Sequence, residues 1–499
     1  MSLPFTLKNP ALFTNLACCH GVRIEAKSGK RFDVEDPGTG KPFTSCPDLD
    51  KDDVPSIVRS SQQAFEEYRL LNPRTRAHLL LKWHQLICEN RDDIATILTH
   101  ETGKPRVEAY GEIDYATGFT WWFAGEAERI RGDVSTPAVP GRRVLVLKQP
   151  IGVCVALVPW NFPIAMILRK VGAALAAGCT MIAKPSPETP LTTLTLAYLA
   201  TEAGFPKGVF NVITTSNENT PALSEALCKH RLVQQVSFTG STRVGSIIAG
   251  HCAVGLKKVT MELGGNCPFI VFDDADLEHA LAQLAGLKWR HAGQACVTAN
   301  RIYVQDGIYE EFLGKLVDHA RSIRLGHGSK ESVTMGPLTT PRGVEKAQSQ
   351  VDDAVQRGAK IAYKGQVPTD GESTGGYFFA PTILRDMDSS MRVTQEESFA
   401  PIAAVYKFQS EAEVVRLAND TDMGLASYLF TRDVSRSWRM MEQLEAGMIG
   451  LNTGNSSAAE SPFGGMKMSG YGKESGKDVA VAEYLVSKTV TMTVEGASS

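Results

Sequence analysis

Two residues in this sequence have neighbours that suit covalent chemistry, Cys296 and Glu262. Cys296 lies in RHAGQACVTANR (290–301), where a Gly-Gln pair is expected to end the preceding helix and leave the sulfur on an accessible, irregular segment. Glu262 is followed by paired glycines in MELGGNCP (261–268), and a carboxylate beside a flexible turn can take a proton from a thiol or from water. The ordinary alternative is a buried cysteine and a solvated glutamate.

Two further segments could hold a phosphate or a ribose. FTGSTRVG (238–245) falls where a strand gives way to a helix, so Gly240 allows a tight turn and Ser241, with backbone N–H groups, could bind a phosphate. Lys184 follows a strand in KPSPETP (184–190) and could reach a ribose or phosphate. The GxGxxG dinucleotide motif is absent, and the ordinary alternatives are a plain helix start and a solvated lysine.

The elements around these residues alternate between strand and helix. Residues 51–100 are predicted to be an amphipathic helix. The predicted strands are 143–149, 153–159, 179–185, 209–214, 233–240, 268–276, 301–305, 402–408, 447–452 and 486–494. The predicted helices are 160–178, 189–204 with Gly204 as its C-cap, 224–230, 277–293 and 308–323. This order indicates doubly wound parallel α/β sheets.

Composition limits the class of protein. The chain has 499 residues, which at roughly 100–200 residues per domain indicates two to four domains. Its net charge of −3 argues against a nucleic-acid binder, and the lack of a long apolar run argues against a membrane span. The ten cysteines show neither zinc-site nor disulfide spacing, so no metal site is expected. The N-terminus resembles no signal or transit peptide, so the cytoplasm is favoured over the mitochondrion.

Several segments together resemble the aldehyde dehydrogenase superfamily, over nearly the whole chain and in the family's order. They are PWNFP (159–163), IAKPSPETP (182–190), GFPKGVFNV (204–212), SFTGSTRVG (237–245), MELGGNCPFIV (261–271), GQACV (293–297), EESFAPI (396–402) and PFGG (462–465). The resemblance implies NAD- or NADP-dependent oxidation of an aldehyde to a carboxylic acid through a thiohemiacetal and a thioester.

The resemblance also implies roles for individual residues. The catalytic set is Cys296 as nucleophile, Asn161 as oxyanion donor and Glu262 as the base that activates water. The cofactor set is Trp160, Lys184, Gly240, Ser241, Glu397 and Phe399. Among NAD-selective members an acid stands three residues after the ribose lysine. Here Pro187 occupies that position with Glu188 next to it, so NAD or dual use is favoured and NADP is not excluded.

Within the superfamily the chain is most similar to the succinate-semialdehyde dehydrogenase branch. There two arginines and a serine hold the distal carboxylate of the substrate, and they match Arg169, Arg290 and Ser457 here. Two departures stand close to the nucleophile, because the branch usually has Phe and Asn where this chain has Trp289 and His291. Both are expected to reshape the aldehyde tunnel, which leaves another aldehyde, aromatic or aliphatic, as the alternative substrate.

Two smaller departures concern the neighbourhood of the nucleophile. Some members use a second cysteine two residues after the nucleophile as a redox switch, but Thr298 stands there, so no such disulfide is expected. Ala400 replaces a glycine that is typical of the family.

The family fold implies three parts. We predict a Rossmann-like cofactor domain (1–132 and 152–262), an α/β catalytic domain (263–456) and a small β oligomerisation element (133–151 and 475–499). A strand at the chain end that can join a partner's sheet predicts a homodimer or homotetramer. Two remote alternatives are a cysteine hydrolase or acyltransferase, which lacks its expected Cys–His pair, and a non-catalytic binding protein.

Overall fold

Two large, mostly parallel sheets organise the chain in the computed structural model, which describes residues 3–369 and 371–495. The strands are β1 (Ala17–Cys19), β2 (Val22–Ile24), β3 (Arg31–Asp36), β4 (Lys41–Pro47), β5 (Asp133–Ser135), β6 (Arg142–Pro150), β7 (Val153–Leu157), β8 (Thr180–Lys184), β9 (Phe210–Val212), β10 (Val233–Thr239), β11 (Lys258–Glu262), β12 (Cys267–Val271), β13 (Ala299–Gln305), β14 (Lys360–Lys364), β15 (Thr382–Arg385), β16 (Ile402–Phe408), β17 (Met423–Gly424), β18 (Ala426–Phe430), β19 (Met448–Leu451), β20 (Met466–Lys467), β21 (Gly470–Tyr471) and β22 (Leu485–Thr493).

Helices cover these sheets. They are α1 (Val54–Tyr68), α2 (Pro73–Glu89), α3 (Arg91–Thr102), α4 (Arg106–Ala127), α5 (Pro163–Ala177), α6 (Pro190–Ala203), α7 (Thr220–Lys229), α8 (Thr242–Ala253), α9 (Leu277–Lys288), α10 (Tyr309–Arg321), α11 (Pro341–Gln356), α12 (Arg392–Gln395), α13 (Glu411–Asn419), α14 (Val434–Gln443) and α15 (Val479–Ala482). No helix within the described ranges is both long and apolar enough to cross a membrane.

The first sheet has the order β2-β1-β9-β8-β7-β10-β11-β21. Its strands from β9 to β11 are parallel, and antiparallel strands close both sides. All residues of β7 and β8 are buried, as expected for central strands covered on both faces. The alternation of strands and helices therefore correctly predicted a doubly wound α/β fold.

The second sheet has the order β14-β15-β16-β13-β12-β18-β19, and all of its pairs except β14–β15 are parallel. A third sheet joins β22, β6 and β5, with β22 paired antiparallel to β6 over its full length. The strand predicted at 486–494 is thus confirmed, and its side chains are largely exposed.

Some predicted helix boundaries differ from the structure. The amphipathic helical region predicted over 51–100 is divided into three helices, because Asn72 caps a new helix that starts at Pro73, and the chain turns again at Asn90. The helix predicted over 277–293 ends at Lys288. The short turn after it contains left-handed residues, which an α-helix cannot include. Gly204 does cap α6 in the left-handed conformation, as predicted.

A buried cluster of Asp36, His100 and His327 connects three distant segments. One Asp36 oxygen, Oδ2, lies 2.8 Å from His100 Nδ1 and 2.9 Å from His327 Nε2. Burial opposes the ionisation of Asp36, but hydrogen bonds from the two rings outweigh it and lower its pKa to about 2. The three ligating atoms lie within 4.8 Å of one another, close enough to hold a metal ion, and spacing along the sequence gave no sign of this cluster.

The Asp36 carboxylate should contribute to stability at neutral pH. We expect Asp36→Asn to lower the free energy of unfolding by about 2–3 kcal/mol at pH 7, because a buried charge-assisted contact is lost. The contribution is present above about pH 4 and is lost as the pH falls towards the lowered pKa. Urea unfolding checks this. Asp92→Asn, which removes an exposed partner of Lys8, is the matched control and should change stability by less than about 1 kcal/mol.

Candidate active site

Cys296 lies on the irregular segment between α9 and β13, as predicted, and lines a cavity of about 280 Å³. The preceding residues His291, Ala292 and Gly293 are all left-handed, with φ of 48°, 51° and 73°. A side chain at Gly293 would collide with the carbonyl oxygen of Ala400, so only glycine fits there. This tight turn sets the position of the sulfur.

The Cys296 thiol is protonated at neutral pH in this environment. Burial raises its pKa well above the ordinary value, and the nearby Glu397 carboxylate adds to the effect. The Arg169 guanidinium acts in the opposite direction. Nucleophilic attack by Cys296 therefore requires a group that takes its proton during the reaction.

Glu262 ends β11, and its carbonyl oxygen accepts a hydrogen bond from the Gly240 N–H at 3.0 Å. Its carboxylate is buried, and neither carboxylate oxygen has a hydrogen-bond partner. Burial raises the pKa of Glu262 well above its ordinary value, and the neighbouring Glu474 charge adds to this. Such a carboxyl group is a stronger base than an ordinary glutamate once it is deprotonated.

Lys170 and Glu474 form a buried ion pair close to Glu262. Ser237 joins them, since its hydroxyl lies 2.7 Å from Lys170 Nζ and donates to Glu474 Oε1 at 2.9 Å. The Lys170 charge favours ionisation of Glu262 while Glu474 opposes it. Sequence patterns gave no sign of this pair, and Glu474 lies nine residues after the PFGG motif (462–465).

Asn161 lies in the loop before α5 and is held from both sides. Its Nδ2 donates to the Gln294 carbonyl oxygen at 2.9 Å, which joins it to the Cys296 segment. Its own carbonyl oxygen accepts from Lys104 Nζ at 2.8 Å. Lys104 is paired with the buried Glu112, which also accepts from the first N–H groups of α5. The loop and the helix start therefore share one buried anchor.

Arg169 and Ser457 meet in the cavity through Tyr115. Arg169 is only 2% exposed and its Nη2 donates to the Tyr115 hydroxyl at 2.7 Å, while the Ser457 hydroxyl bonds that same oxygen. Arg169 Nε and Nη1 have no hydrogen-bond partner, although Nη1 forms an ion pair with Glu474 Oε2 at 3.8 Å. Arg290 also lines the cavity but is exposed, with its guanidinium over the Phe162 ring. Nothing in the local sequence pointed to Tyr115.

Trp289 and His291 differ in position. His291 lines the cavity, but Trp289 does not, because it packs into the hydrophobic core of the second sheet. The expectation that Trp289 reshapes the tunnel is therefore wrong. Trp289 and His291 are two positions apart at the end of a helix, so their side chains point in different directions, and only His291 lines the cavity that contains Cys296.

The residues expected to hold a cofactor lie at the carboxyl ends of strands and in a loop near them. Ser241 is the N-cap of α8, where it accepts from the Val244 N–H, and Lys184 ends β8 with Nζ 3.2 Å from Thr220 Oγ1. Burial lowers the pKa of Lys184 to about 8. Near α8, the buried Thr239 hydroxyl has no partner, which leaves it free for a ligand.

The loop that contains Glu397 and Phe399 supplies the remaining residues expected to hold a cofactor. The Gly265 N–H donates to the Glu397 carboxylate at 3.2 Å. The Phe399 ring makes an edge contact with the Trp160 ring, with 5.5 Å between the ring centroids. Trp160 also lines a second cavity, of about 520 Å³, together with Pro187, Glu188 and Asn217. A helix start, a lysine and an unpaired hydroxyl at the carboxyl ends of neighbouring strands, with aromatic rings in nearby loops, suit a dinucleotide.

Comparison with known proteins gives one consistent result. The model of the aldehyde dehydrogenase family matches residues 24–490. A 3-sulfolactaldehyde dehydrogenase of Pseudomonas putida is 45% identical over 97% of this chain and 98% of its own length. An Escherichia coli K12 succinate-semialdehyde dehydrogenase, whose name specifies NADP(+), is 44% identical over 96% of this chain and 98% of its own. The crystal structure of succinate-semialdehyde dehydrogenase from Burkholderia pseudomallei has a TM-score of 0.95, with 42% identity, 98% of this chain and 100% of that chain covered.

The ion pair of Lys104 and Glu112 should determine the order of the Asn161 loop. Glu112→Gln leaves a buried ammonium without its carboxylate, and we expect a loss of about 3–5 kcal/mol in unfolding free energy. Backbone hydrogen exchange at 161–165 should rise, because the α5 N–H groups lose a charged acceptor. The double variant Lys104→Met/Glu112→Leu removes both charges and should recover much of the stability. Equal stability of Glu112→Gln and wild type would contradict the assignment.

Proposed function

This chain belongs to the aldehyde dehydrogenase family, and on that premise we propose that it oxidises succinate semialdehyde, or a similar aldehyde with a distal carboxylate, to the dicarboxylic acid with NAD or NADP. The observation that carries the choice of substrate is the Arg169 guanidinium. It is buried, it lines the same cavity as Cys296, and two of its nitrogens have no hydrogen-bond partner. A carboxylate satisfies a guanidinium with two parallel hydrogen bonds.

The proposed clamp consists of Arg169, with Tyr115 and Ser457 holding it in place. The Arg169 guanidinium stacks over the Phe463 ring, 4.0 Å from the ring centroid. This contact fixes the plane of the guanidinium. Arg290 is at the exposed side of the cavity, where it attracts an anionic substrate more than it fixes one.

The proposed chemistry begins with the attack of Cys296 Sγ on the aldehyde carbon, and the thiol proton moves to the aldehyde oxygen. This proton leaves to solvent when the resulting thiohemiacetal is oxidised to the thioester. The oxygen of the resulting thiohemiacetal receives hydrogen bonds from the Asn161 side chain and the Cys296 N–H. One Asn161 N–H is engaged by Gln294, and an amide has a second to donate. NAD or NADP, when bound, supplies the hydride acceptor for the oxidation.

Glu262 is proposed to resolve the thioester that remains on Cys296. Its unpartnered carboxylate takes a proton from water, which attacks the thioester carbon and releases the carboxylic acid and the thiol. In the pair beside it, the Lys170 charge favours the ionised form of Glu262 and the Glu474 charge opposes it.

The proposed cofactor contacts follow the expected set. Lys184 would bind the adenosine ribose, Gly240 and Ser241 the pyrophosphate at the start of α8, Glu397 and Phe399 the nicotinamide ribose, and Trp160 would line the cleft. Glu188 accepts from Asn217 at 3.1 Å beside Lys184, so a carboxylate remains near the expected ribose although Pro187 replaces the usual acid. We favour NAD or dual use.

A distal sulfonate is the second candidate for the anionic end of the substrate. The relative named for 3-sulfolactaldehyde matches this chain as closely as the succinate-semialdehyde dehydrogenase does. Arg169 would accept either anion, because both present oxygens to a planar fork.

We further propose the three-part division given above, a homodimer or homotetramer, and a cytoplasmic location. The limits of the three sheets support the division, and β21 adds residues 470–471 to the first sheet. The β22–β6–β5 sheet supports the oligomer, since it has exposed apolar side chains such as Val490 and Met492.

Loss of the Arg169 guanidinium should discriminate between aldehydes. We expect Arg169→Met to reduce kcat/KM for succinate semialdehyde by roughly 30–100-fold, which corresponds to about 2–3 kcal/mol of charge-assisted hydrogen bonding. The kcat/KM for butanal, which lacks the carboxylate, should fall much less. NAD(P)H formation at 340 nm measures both, with hexanal and benzaldehyde as further uncharged substrates.

The controls for this assay are Arg290→Met and Cys296→Ala. Arg290→Met should have the smaller effect, while Cys296→Ala should abolish oxidation and keep cofactor binding. A wild-type preference for benzaldehyde or hexanal would refute the clamp and retain the chemistry. Acid formation without NAD(P) would point to a hydrolase.

Glu262 should determine the pH dependence of thioester hydrolysis. A base must be deprotonated to act, and its raised pKa moves the rising limb of kcat to a higher pH than an ordinary glutamate gives. Glu262→Gln should lack that limb and lose about 10²–10⁴-fold in kcat. It should still release a rapid burst of NAD(P)H, at most one per site, in stopped-flow experiments. An unchanged pH profile in this variant would remove Glu262 from the proposed role.

A further inference from the structure

His291 occupies an unfavourable position for a histidine. Its backbone is left-handed, with φ 48° and ψ 39°, a conformation that non-glycine residues adopt rarely. Its side chain is 1% exposed, and neither ring nitrogen has a hydrogen-bond partner. Backbone strain and unsatisfied buried nitrogens both oppose folding, and such features cluster at functional sites.

The surroundings of His291 fix its ring in the cavity wall. The ring makes edge contacts with Trp160 at 6.0 Å and with Phe162 at 5.7 Å between centroids. Its backbone is held separately, since the N–H donates to Glu108 Oε2 at 3.0 Å and the carbonyl oxygen accepts from Gln294 Nε2 at 2.9 Å. Both imidazole nitrogens therefore lack a hydrogen-bond partner, in a residue that lines the cavity.

His291 is uncharged at neutral pH. Burial lowers its pKa well below the ordinary value, and the cations Lys104 and Arg290 act in the same direction. A neutral imidazole has one N–H donor and one acceptor nitrogen. That combination complements a hydroxyl group, which both donates and accepts, whereas a carboxylate can only accept.

Within the described part of the chain, the buried side-chain atoms of this cavity's lining that lack a hydrogen-bond partner belong to Arg169 and His291. The hydroxyls of Ser456 and Ser457 are engaged by Tyr428 and Tyr115. The buried wall thus contains the cationic guanidinium of Arg169 and the neutral imidazole of His291, while Glu108 and Arg290 also line the cavity.

We propose that the substrate is a hydroxylated semialdehyde, with the hydroxyl on a carbon between the aldehyde and the distal anion, and that His291 is the residue that recognises this hydroxyl. The inference rests on the proposed function, because it takes the Arg169 fork as the site of the anion. It makes His291 a specificity determinant that acts on the carbon chain of the substrate.

The test compares ligands that differ only by the hydroxyl. The kinetic pair is 4-oxobutanoate against its 2-hydroxy and 3-hydroxy derivatives, measured as kcat/KM. The binding pair is succinate against the two enantiomers of hydroxysuccinate, measured as Kd by calorimetry on the wild-type protein. We expect one hydroxylated isomer to be preferred by about tenfold or more in both measurements, as one or two hydrogen bonds give.

The variants assign the preference to its residue. His291→Phe and His291→Gly should bring both ratios close to one. Gly tolerates the left-handed backbone, has no side-chain donor or acceptor, and keeps the test valid if Phe does not fold. Trp289→Phe, two positions away in sequence but in the core, should keep the wild-type ratio. Arg169→Met should lower kcat/KM and raise Kd by the same factor for both ligands of each pair, so that the ratios stay unchanged.

The possible outcomes distinguish a failure of the hydroxyl inference from a failure of the proposed function. If hydroxylated ligands are no better than plain ones while Arg169→Met still weakens succinate, the hydroxyl inference is wrong and the proposed function stands, with water satisfying the imidazole. A hydroxyl preference that survives in His291→Gly also overturns the inference. If Arg169→Met leaves the Kd for succinate unchanged and the wild-type protein prefers uncharged aldehydes, the proposed function itself is refuted.

Discussion

The buried pair of Lys104 and Glu112 is the interaction on which the site depends. It joins the end of α3, the Asn161 carbonyl oxygen and the first N–H groups of α5. A negative charge at a helix start is favoured by the helix dipole, and a lysine that neutralises it allows the whole group to be buried. Glu101 also accepts at a helix start, from the Leu191 and Thr192 N–H groups of α6, although burial raises its pKa to about 8. Two helix starts are thereby fixed by one short segment.

The helix that this anchor fixes serves two parts of the site at once. Arg169 and Lys170 are adjacent on α5, so their side chains diverge by about 100° around its axis. Arg169 lies in the cavity with Cys296, whereas Lys170 pairs with Glu474 close to Glu262. A small rotation of α5 would therefore disturb the substrate end and the base end together, which explains why its start is held by charge as well as by packing.

The sequence predicted the sheets better than the site. Buried strands such as β7 carry a continuous apolar run, and α6 begins with Pro190 and ends before Gly204, so local signals sufficed for these elements. Tyr115 and Glu474 were missed because their partners lie 54 and 304 residues away, at Arg169 and Lys170, and no local pattern encodes such distances. The early end of α9 was missed for another reason, since the left-handed turn that follows is imposed by tertiary contacts.

The pairing of β21 with β11 has a consequence for synthesis. β11 carries Glu262, and the strand that covers its edge contains residues 470–471, close to the end of the chain. A ribosome adds roughly 5–20 residues per second, so this edge waits tens of seconds for its partner while the second sheet is still being made. During that interval the nascent chain exposes an unpaired strand edge, a known route to aggregation. Chaperone demand should therefore be highest for nascent chains in which β11 has been made and β21 has not.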